Sequence, residues 1–364
     1  MSDGLDAARA LLPGVDLRAV EQLRGGERSS VTRVHATWPG YEPTAVIVKQ
    51  FWQAGEGWAR EAAALSVLAS GEASGLVVAG DSPPVVVTED LGRGPSLADA
   101  LLGDDPAAAG AAVRDWAQAL ARLHSAGRDR RARFRAALDE RQGEMPIDEC
   151  CVGVELDDAA RLLDARCAAL GVSIPTHALD ELRSLGERLG DGPGASLSPV
   201  DTCPDNNVRV DDRVVLIDFE GAQWRHVAWD VAYLFVPWPT CWCSWRIPDG
   251  VASEAFAAYR DAAIGAFPEV AEESFACDVE AATVGWALTS TTWFLDNALG
   301  SDPVLNPDKP TPTRRAMILH RLGVAARTTE LPALAELAAN LADELQRRWG
   351  DVPLELAQAF AGAT

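Results

Sequence analysis

Four carboxylate and amide side chains recur at fixed intervals in one short stretch of this chain. Asp201 is followed five residues later by Asn206. Asp218 comes directly after the apolar residues 214–217, and Asp230 lies twelve residues beyond it. The apolar run is rich in β-branched residues and predicts a buried strand that ends at a carboxylate. Because Mg²⁺ prefers carboxylate and amide oxygens, the stretch predicts a fold that gathers Asn206 and Asp218 around one metal ion.

The spacing of Asp201 and Asn206 also matches the pattern D-x-x-x-x-N of catalytic loops that transfer phosphoryl groups. Such a reaction demands positioning and charge neutralisation from the protein rather than covalent chemistry. In this pattern the Asp orients and deprotonates the attacking hydroxyl, and the Asn holds Mg²⁺ together with a strand-end Asp. We therefore interpret Asp201, Asn206 and Asp218 as catalytic, with Asn206 and Asp218 as metal ligands.

Lysine is rare in this chain, and one lysine lies where nucleotide phosphates would need a cation. Lys49 and Lys309 are the two lysines among 32 basic residues. Lys49 follows the alternating residues 45–48, as in the V-A-I-K strand whose Lys contacts the α- and β-phosphates. Glu61, in the helical segment that follows, is its ion-pair candidate. Taken alone, an exposed Lys49 and a solvated Glu61 would be simpler, but the downstream motif in the correct order favours the functional interpretation.

A glycine-containing segment upstream is a candidate phosphate loop. Residues 24–31 (RGGERSSV) lie between two apolar stretches, where backbone N–H groups and Ser hydroxyls would contact phosphates. We assign Gly25, Gly26, Ser29 and Ser30 to this role. The segment lacks a full G-x-G-x-x-G pattern, so an ordinary hairpin turn is an equal alternative.

A second connector is a candidate hinge. Residues 85–89 are strand-like and lead into a connector that contains Gly92. In the layout of a kinase, the backbone of this connector faces the adenine. Glu89 and Leu91 are therefore candidate nucleotide contacts.

These motifs resemble those of the aminoglycoside phosphotransferase and choline kinase-like group over residues 20–237. Residues 121–125 (ARLHS) resemble its helix-ending Leu-His element. Asp230 matches its D-L-A position, which implies a structural role in bracing the catalytic-loop backbone. The resemblance implies ATP and Mg²⁺ as cofactors and an α+β, two-lobed protein-kinase-like fold. A small N-terminal lobe with an antiparallel sheet would occupy residues 1–94, and a larger, mainly helical lobe residues 95–364.

Two positions depart from the pattern of that group. Pro199 stands where H-G-D has its His, and Glu220 stands where D-F-G has its Gly. The missing His would brace the loop, so its loss need not remove the reaction, yet it keeps a catalytically silent binding protein as an alternative. Glu220 could assist the adjacent metal, but a solvent-facing side chain is the simpler expectation.

The acceptor is expected to be a small molecule. Only eleven residues separate Asp218 from Asp230, and no A-P-E sequence follows, so a peptide would have little surface to lie on. Helical patterns in the chain resemble instead the lid with which that group encloses small alcohols and amino sugars. Residues 300–313 are predicted to form a loop between two of these helices. The helical patterns lie near residues 130–142, 157–170, 177–189, 253–267, 275–299, 315–327 and 331–349.

The charge of the chain favours a cationic acceptor. A net charge of −22 disfavours binding to nucleic acid or to an anionic membrane. Seven of the 12 Trp residues lie between Trp224 and Trp293 and could contact an amine, although core packing is the simpler interpretation of each. Trp293 and Asp296 would share a helix face. We take them as candidate acceptor contacts, with a solvated Asp296 as the alternative.

Cysteine and terminal features indicate a cytoplasmic protein with reduced thiols. The seven Cys are odd in number, and both Cys150-Cys151 and Cys241-x-Cys243 are poor zinc spacings. The first residues lack the regions of a signal peptide, and no apolar run approaches a membrane span. We therefore expect an ATP-dependent kinase that phosphorylates a hydroxyl of a small, amine-bearing acceptor. A metabolic kinase for choline, a sugar or an amino acid is the alternative, and the preference for ATP over GTP and the oligomeric state stay open.

Overall fold

The computed structural model describes residues 2–26, 28–143, 146–302 and 309–362. Its N-terminal part is a five-stranded antiparallel sheet of order β1-β2-β3-β5-β4, with one helix on each side. The first helix, α1, has no counterpart among the segments predicted from the sequence. The elements are α1 (Ser2–Leu11), β1 (Asp16–Gly25), β2 (Ser29–Thr37), β3 (Thr44–Phe51), α2 (Glu56–Val67), β4 (Leu76–Asp81) and β5 (Pro84–Glu89).

The side chains of β3 point alternately to the two faces of this sheet. Val46 and Val48 pack on one face with apolar residues of α1. Successive strand residues point to opposite faces, so Ile47 and Lys49 point to the other face, toward a cleft. Lys49 pairs with Val31 of β2 and with Val86 of β5, which places it in the middle of the sheet.

The rest of the chain is mainly helical, with two small two-stranded sheets, β6 with β9 and β7 with β8. The predicted α+β class, with an N-terminal antiparallel sheet and a mainly helical remainder, is confirmed, as are the seven helical segments. The elements are α3 (Leu97–Leu101), α4 (Pro106–Gly127), α5 (Arg131–Asp139), α6 (Val152–Leu170), α7 (Ala178–Arg188), β6 (Ala195–Ser198), β7 (Asn207–Val210), β8 (Arg213–Leu216), β9 (Gln223–His226), α8 (Ala228–Val231), α9 (Asp249–Ala263), α10 (Glu273–Gly300), α11 (Arg314–Ala325) and α12 (Pro332–Trp349).

Helix α4 carries a side chain into the centre of the helical part. Its start is fixed by Asp105, whose carboxylate accepts hydrogen bonds from the backbone N–H groups of Ala107 and Ala108 at 2.9 and 3.1 Å. Its last turn contains His124, which is fully buried. α4 packs against α9 and against β6 and β8, and the backbone oxygen of His124 accepts a hydrogen bond from the Ser196 hydroxyl of β6 at 2.7 Å.

Helix α10 is apolar on nearly all sides, as expected for a helix inside a core. The predicted loop at residues 300–313 lies between α10 and α11, although residues 303–308 lie outside the described part. Within the described residues, no helix is both long and apolar enough to cross a membrane. The boundary near Gly94 stays a prediction.

Candidate active site

The predicted contact between Lys49 and Glu61 is present. The Lys49 ammonium of β3 donates a hydrogen bond to Glu61 Oε2 of α2 at 2.5 Å, and both side chains are buried. Helix α2 is attached to the sheet nearby, where the Trp58 indole N–H donates to the backbone oxygen of Val85 of β5 at 3.3 Å. The contact between Lys49 and Glu61 therefore links the sheet to α2 at the floor of a cleft.

Asp218 reaches the same ammonium group from the other part of the chain. Lys49 Nζ lies 2.6 Å from Asp218 Oδ1. Asp218 has φ +68°, in the left-handed region that non-glycine residues rarely adopt. The strained backbone directly follows the strand β8 and Ile217, at the position where the sequence predicted a strand-end carboxylate.

Glu220 is a third carboxylate in this cluster, and the expectation that it faces solvent is wrong. Its Oε2 lies 3.1 Å from Lys49 Nζ, and only 15% of its side chain is exposed. Its other oxygen, Oε1, lies 2.9 Å from the Arg28 guanidinium. No sequence signal indicated this contact, because the Glu replaces the Gly of the family motif.

Three carboxylates around one ammonium leave the cluster with surplus negative charge. Burial acts to lower the pKa of Lys49, but Glu61, Asp218 and Glu220 outweigh it and hold that pKa above its ordinary value, so Lys49 stays protonated. Burial raises the pKa of Glu61 to about 7, against the effect of the Lys49 charge. The surplus charge suits a site that also receives a metal cation.

The catalytic-loop candidates Asp201 and Asn206 lie on the loop between β6 and β7. Asn206 donates from Nδ2 to the backbone oxygen of Asp201 at 3.0 Å, and its own backbone oxygen accepts from Ile217 N at 3.0 Å. The hydroxyl of Thr240 donates to Asp201 Oδ1 at 2.5 Å. Burial raises the pKa of Asp201, and nearby Asp218 adds to this effect. Thr240 was not predicted, and its position 39 residues from Asp201 gave no local signal.

Asp230 is fully buried among polar side chains. Its Oδ2 lies 2.9 Å from His124 Nε2, and its Oδ1 forms a close ion pair with Arg225. His124 in turn lies 2.8 Å from the Tyr259 hydroxyl. The Leu-His element of the resemblance is therefore placed next to the Asp of the D-L-A position.

The loop between β6 and β7 is held by side chains other than a His at position 199. Arg225 Nη2 donates to the backbone oxygen of Val200 at 3.3 Å, and the Tyr233 hydroxyl donates to the same oxygen at 2.8 Å. Val200 has φ +70°, so this oxygen is fixed in a strained loop. From the sequence, Asp230 was predicted to brace the loop backbone directly. The described contacts instead link Asp230 to the loop through Arg225.

A cleft of about 780 Å³ brings most of the candidate nucleotide contacts together. Lys49, Glu61, Asn206 and Asp218 line this cleft, and the apolar side chains that also line it suit a flat ring. The predicted contacts Gly26, Ser29, Glu89 and Leu91 line the cleft together with Val31, Ile47, Thr88, Val208 and Ile217.

The glycine segment divides between the two faces of the sheet. Gly26 and Ser29 line the cleft, but Gly25 and Ser30 pair with each other and line a separate cavity of about 140 Å³. The segment is a hairpin turn between β1 and β2, with Gly26 N donating to Ser29 O at 3.0 Å. The described structure therefore brings only half of the predicted phosphate-loop residues to the cleft.

The hinge contains an ion pair that the sequence analysis missed. Arg33 of β2 donates to both oxygens of Asp90, at 2.5 and 3.1 Å, and to the backbone oxygen of Gly92 at 2.8 Å. These bonds fix the connector that carries Leu91. Glu89 N donates to Gly75 O at 2.8 Å.

The candidate acceptor contacts Trp293 and Asp296 do not line this cleft. Trp293 is 44% exposed and packs edge to face on Trp286, with ring centroids 6.0 Å apart. Asp296 forms an exposed ion pair with Arg166 of α6 at 2.7 Å. Asp296 is therefore paired with α6, while the ring contacts of Trp293 are with residues of α10 itself.

The donor set of the cleft fits Mg²⁺. Asn206 commits its Nδ2 to the loop, which leaves the amide oxygen to coordinate a metal, and Asp218 supplies a carboxylate. Glu61, Asp218 and Glu220 place carboxylate oxygens within 4.8 Å of one another. Hard oxygen ligands of this kind suit Mg²⁺, which retains several waters and phosphate oxygens in its shell.

Comparison with solved structures identifies the architecture. No family model matches the chain, and no curated protein matches it in sequence. An ethanolamine kinase from Plasmodium vivax aligns over 91% of this chain and 88% of that chain, with 13% identity and a TM-score of 0.55. A choline kinase from Cryptosporidium parvum aligns over 91% and 89%, with 10% identity and a TM-score of 0.50. The chain has the choline and ethanolamine kinase fold. The two-lobed kinase-like architecture predicted from the motifs is thereby confirmed.

Proposed function

We propose that this protein is an ATP-dependent small-molecule kinase that transfers the γ-phosphoryl group to a hydroxyl of an amine-bearing acceptor. The observation that carries the proposal is the position of Lys49, within 2.6 Å of both Glu61 and Asp218 in a cleft that also contains Asn206. An ammonium held between a helix carboxylate and a strand-end carboxylate is the arrangement that phosphoryl transfer requires.

Each residue has a role that follows from its contacts. Lys49, positioned by Glu61, binds the nucleotide phosphates, and Leu91 and Glu89 lie on the connector that contacts the base. Asn206 and Asp218 hold Mg²⁺, which when bound neutralises phosphate charge. Asp201 orients the acceptor hydroxyl and takes its proton, and burial supports this role because a raised pKa makes a carboxylate a better base.

The surroundings of Asp201 favour a cationic acceptor. Asp205 follows in the same loop, and the indole N–H of Trp242 donates to Asp205 Oδ2 at 2.6 Å. The Lys309 ammonium lies over the Trp242 ring, 3.9 Å from its centroid, and 3.9 Å from Asp205 Oδ2, so this pair of side chains attracts an ammonium group. The seven cysteines are free thiols, which supports a reducing, cytoplasmic setting.

A catalytically silent binding protein is the second candidate, because Pro199 replaces the expected His. The contacts of Arg225 and Tyr233 with the Val200 oxygen argue against it, since they hold the loop without that His. Metabolic and antibiotic kinases would share these catalytic residues and differ in the acceptor.

The test is Mg²⁺-dependent ADP release with a panel of choline, ethanolamine, amino-sugar antibiotics and simple sugars. We expect Asp201→Asn to lower kcat by roughly 100-fold or more while nucleotide binding is retained. Asp218→Asn should weaken Mg-ATP binding, and Asp212→Asn, at an exposed turn, is the matched control. Turnover that survives in Asp201→Asn would remove the assignment. If no acceptor works and Mg-ATP does not raise Tm, the silent binder becomes the better interpretation.

A further inference from the structure

Three cysteines and one aspartate meet beside the catalytic loop. Cys203 and Asp205 belong to that loop, and Cys241 and Cys243 belong to residues 237–245. All three thiols are at most 3% exposed. The Sγ atoms of Cys203 and Cys241 and a carboxylate oxygen of Asp205 lie within 4.8 Å of one another. The spacing of Cys241 and Cys243 alone is poor for a metal, but folding adds two ligand groups from another segment.

The distances suit a tetrahedral ion with sulfur and oxygen ligands. Bonds of about 2.3 Å to sulfur and about 2.1 Å to oxygen place ligand atoms roughly 3.5 to 3.8 Å apart. Cys241 Sγ lies 3.6 Å from Asp205 Oδ1. Cys203 Sγ lies within 4.8 Å of both atoms, so Cys203 is the ligand that has to approach the other two.

The second oxygen of Asp205 is held by groups that could not bind a metal. The Trp242 indole N–H donates to Asp205 Oδ2 at 2.6 Å, and the Lys309 ammonium lies 3.9 Å from the same oxygen. Such outer contacts orient a ligating carboxylate. They leave Oδ1 facing the Cys241 sulfur.

A third thiol lies against the sulfur of Cys241. Cys243 Sγ lies 2.9 Å from Cys241 Sγ. The thiolate is the form of cysteine that binds metals, and the Cys243 thiol is close enough to donate to a Cys241 thiolate and orient it.

We propose that Cys203, Asp205 and Cys241 form a binding site for a thiophilic divalent cation of the Zn²⁺ class. The site uses ligands other than Asn206 and Asp218, although Asp205 lines the same cleft, and it does not depend on the proposed reaction. The Thr240 hydroxyl lies 3.3 Å from Cys203 Sγ and donates to Asp201 Oδ1 at 2.5 Å. A bound ion therefore ties residues 237–245 to the loop and keeps Thr240 on Asp201.

Co²⁺ is the probe for this site, because thiolate ligands give it a charge-transfer band that oxygen ligands do not. The fully reduced, metal-free protein should bind about one Co²⁺ per chain with this band, and Zn²⁺ should displace it. Cys203→Ser and Cys241→Ser should each abolish the band. Asp205→Asn, which leaves both thiols in place, should weaken Co²⁺ binding at least about tenfold.

The double variant Cys150→Ser/Cys151→Ser is the matched control, because it removes the other neighbouring pair of thiols, and its band should equal that of the unmodified protein. Equal Tm values in metal-free buffer show that the variants fold. No charge-transfer band in the reduced protein, or a band unchanged by Cys203→Ser and Cys241→Ser, would overturn the proposal. A Cys241–Cys243 disulfide in the oxidised protein together with no Co²⁺ binding in the reduced one would also overturn it.

Discussion

Lys49 of β3 and Glu61 of α2 share a buried contact of 2.5 Å between ammonium and carboxylate. The pair joins the sheet to its helix at the end of the cleft where Asp218 also arrives. Since Asp218 and Glu220 contact the same ammonium, loss of Glu61 would leave Lys49 charged but free to turn toward them. The position of Lys49, rather than its charge, therefore depends on Glu61.

Glu61→Gln should raise the KM for ATP about tenfold, equivalent to about 1.4 kcal/mol. The variant keeps the shape of the side chain and removes its charge. Because the pKa of Glu61 is raised to about 7, the wild-type carboxyl is ionised above pH 7 and neutral below it. The difference between wild type and variant should accordingly shrink as the pH falls from 8 to 6.

Steady-state ADP release at several pH values measures this difference. Glu336→Gln, on the exposed face of α12, is the control and should match the wild type. A Glu61→Gln variant with wild-type KM at pH 8 would show that Glu61 does not position Lys49.

Asp230→Asn should lower the free energy of unfolding by about 3 to 5 kcal/mol, because it leaves the buried Arg225 charge without its partner. Urea unfolding measures the change. Asp296→Asn breaks an exposed pair with Arg166 and should cost less than about 1 kcal/mol. Equal effects of the two substitutions would mean that the buried pair of Asp230 and Arg225 does not stabilise the fold more than an exposed pair does.

Local patterns predicted the elements of the site but not every contact between them. The period of apolar residues identified the helices, and the spacing of Asp201 and Asn206 identified the loop. The bonds of Thr240 to Asp201 and of Arg225 to Val200 depend on how distant segments pack, which no local pattern encodes. Glu220 likewise acquires its role from the approach of Lys49, 171 residues earlier in the chain.

Two sets of predicted contacts do not line the cleft, and in each case the cause is geometric. Ser29 and Ser30 are successive residues of β2, and successive strand residues point to opposite faces of a sheet. Ser29 therefore lines the cleft, while Ser30 and its strand partner Gly25 lie at the separate cavity. On α10, the helical period correctly put Trp293 and Asp296 on one face, but periodicity does not determine which neighbour that face meets.

Thr240→Val should move the acid limb of the kcat/KM profile to higher pH. The Thr240 hydrogen bond lowers the pKa of Asp201, against the raising effects of burial and Asp218. Without that bond the pKa of Asp201 rises further, so the ionised base appears at higher pH. Thr202→Val is the control, because the buried Thr202 hydroxyl has no hydrogen-bond partner among the described residues. An unshifted limb in Thr240→Val would mean that the limb does not report Asp201.

His320 of α11 should make stability depend on pH below neutrality. Burial lowers its pKa to about 4, and the charges of Arg246, Arg327 and Arg321 add to this effect. The unfolded chain protonates this His near pH 6.5 but the folded chain does not until about pH 4, so the unfolded state binds more protons in that window. Stability conferred by neutral His320 is therefore present above about pH 6.5 and is lost as the pH falls toward 4.

In urea unfolding, the stability of wild type relative to His320→Gln should fall by about 2 kcal/mol between pH 7 and pH 5. His35→Gln, on the exposed side of β2, provides the control. A wild-type curve parallel to that of His320→Gln would show that His320 is not kept neutral by its surroundings.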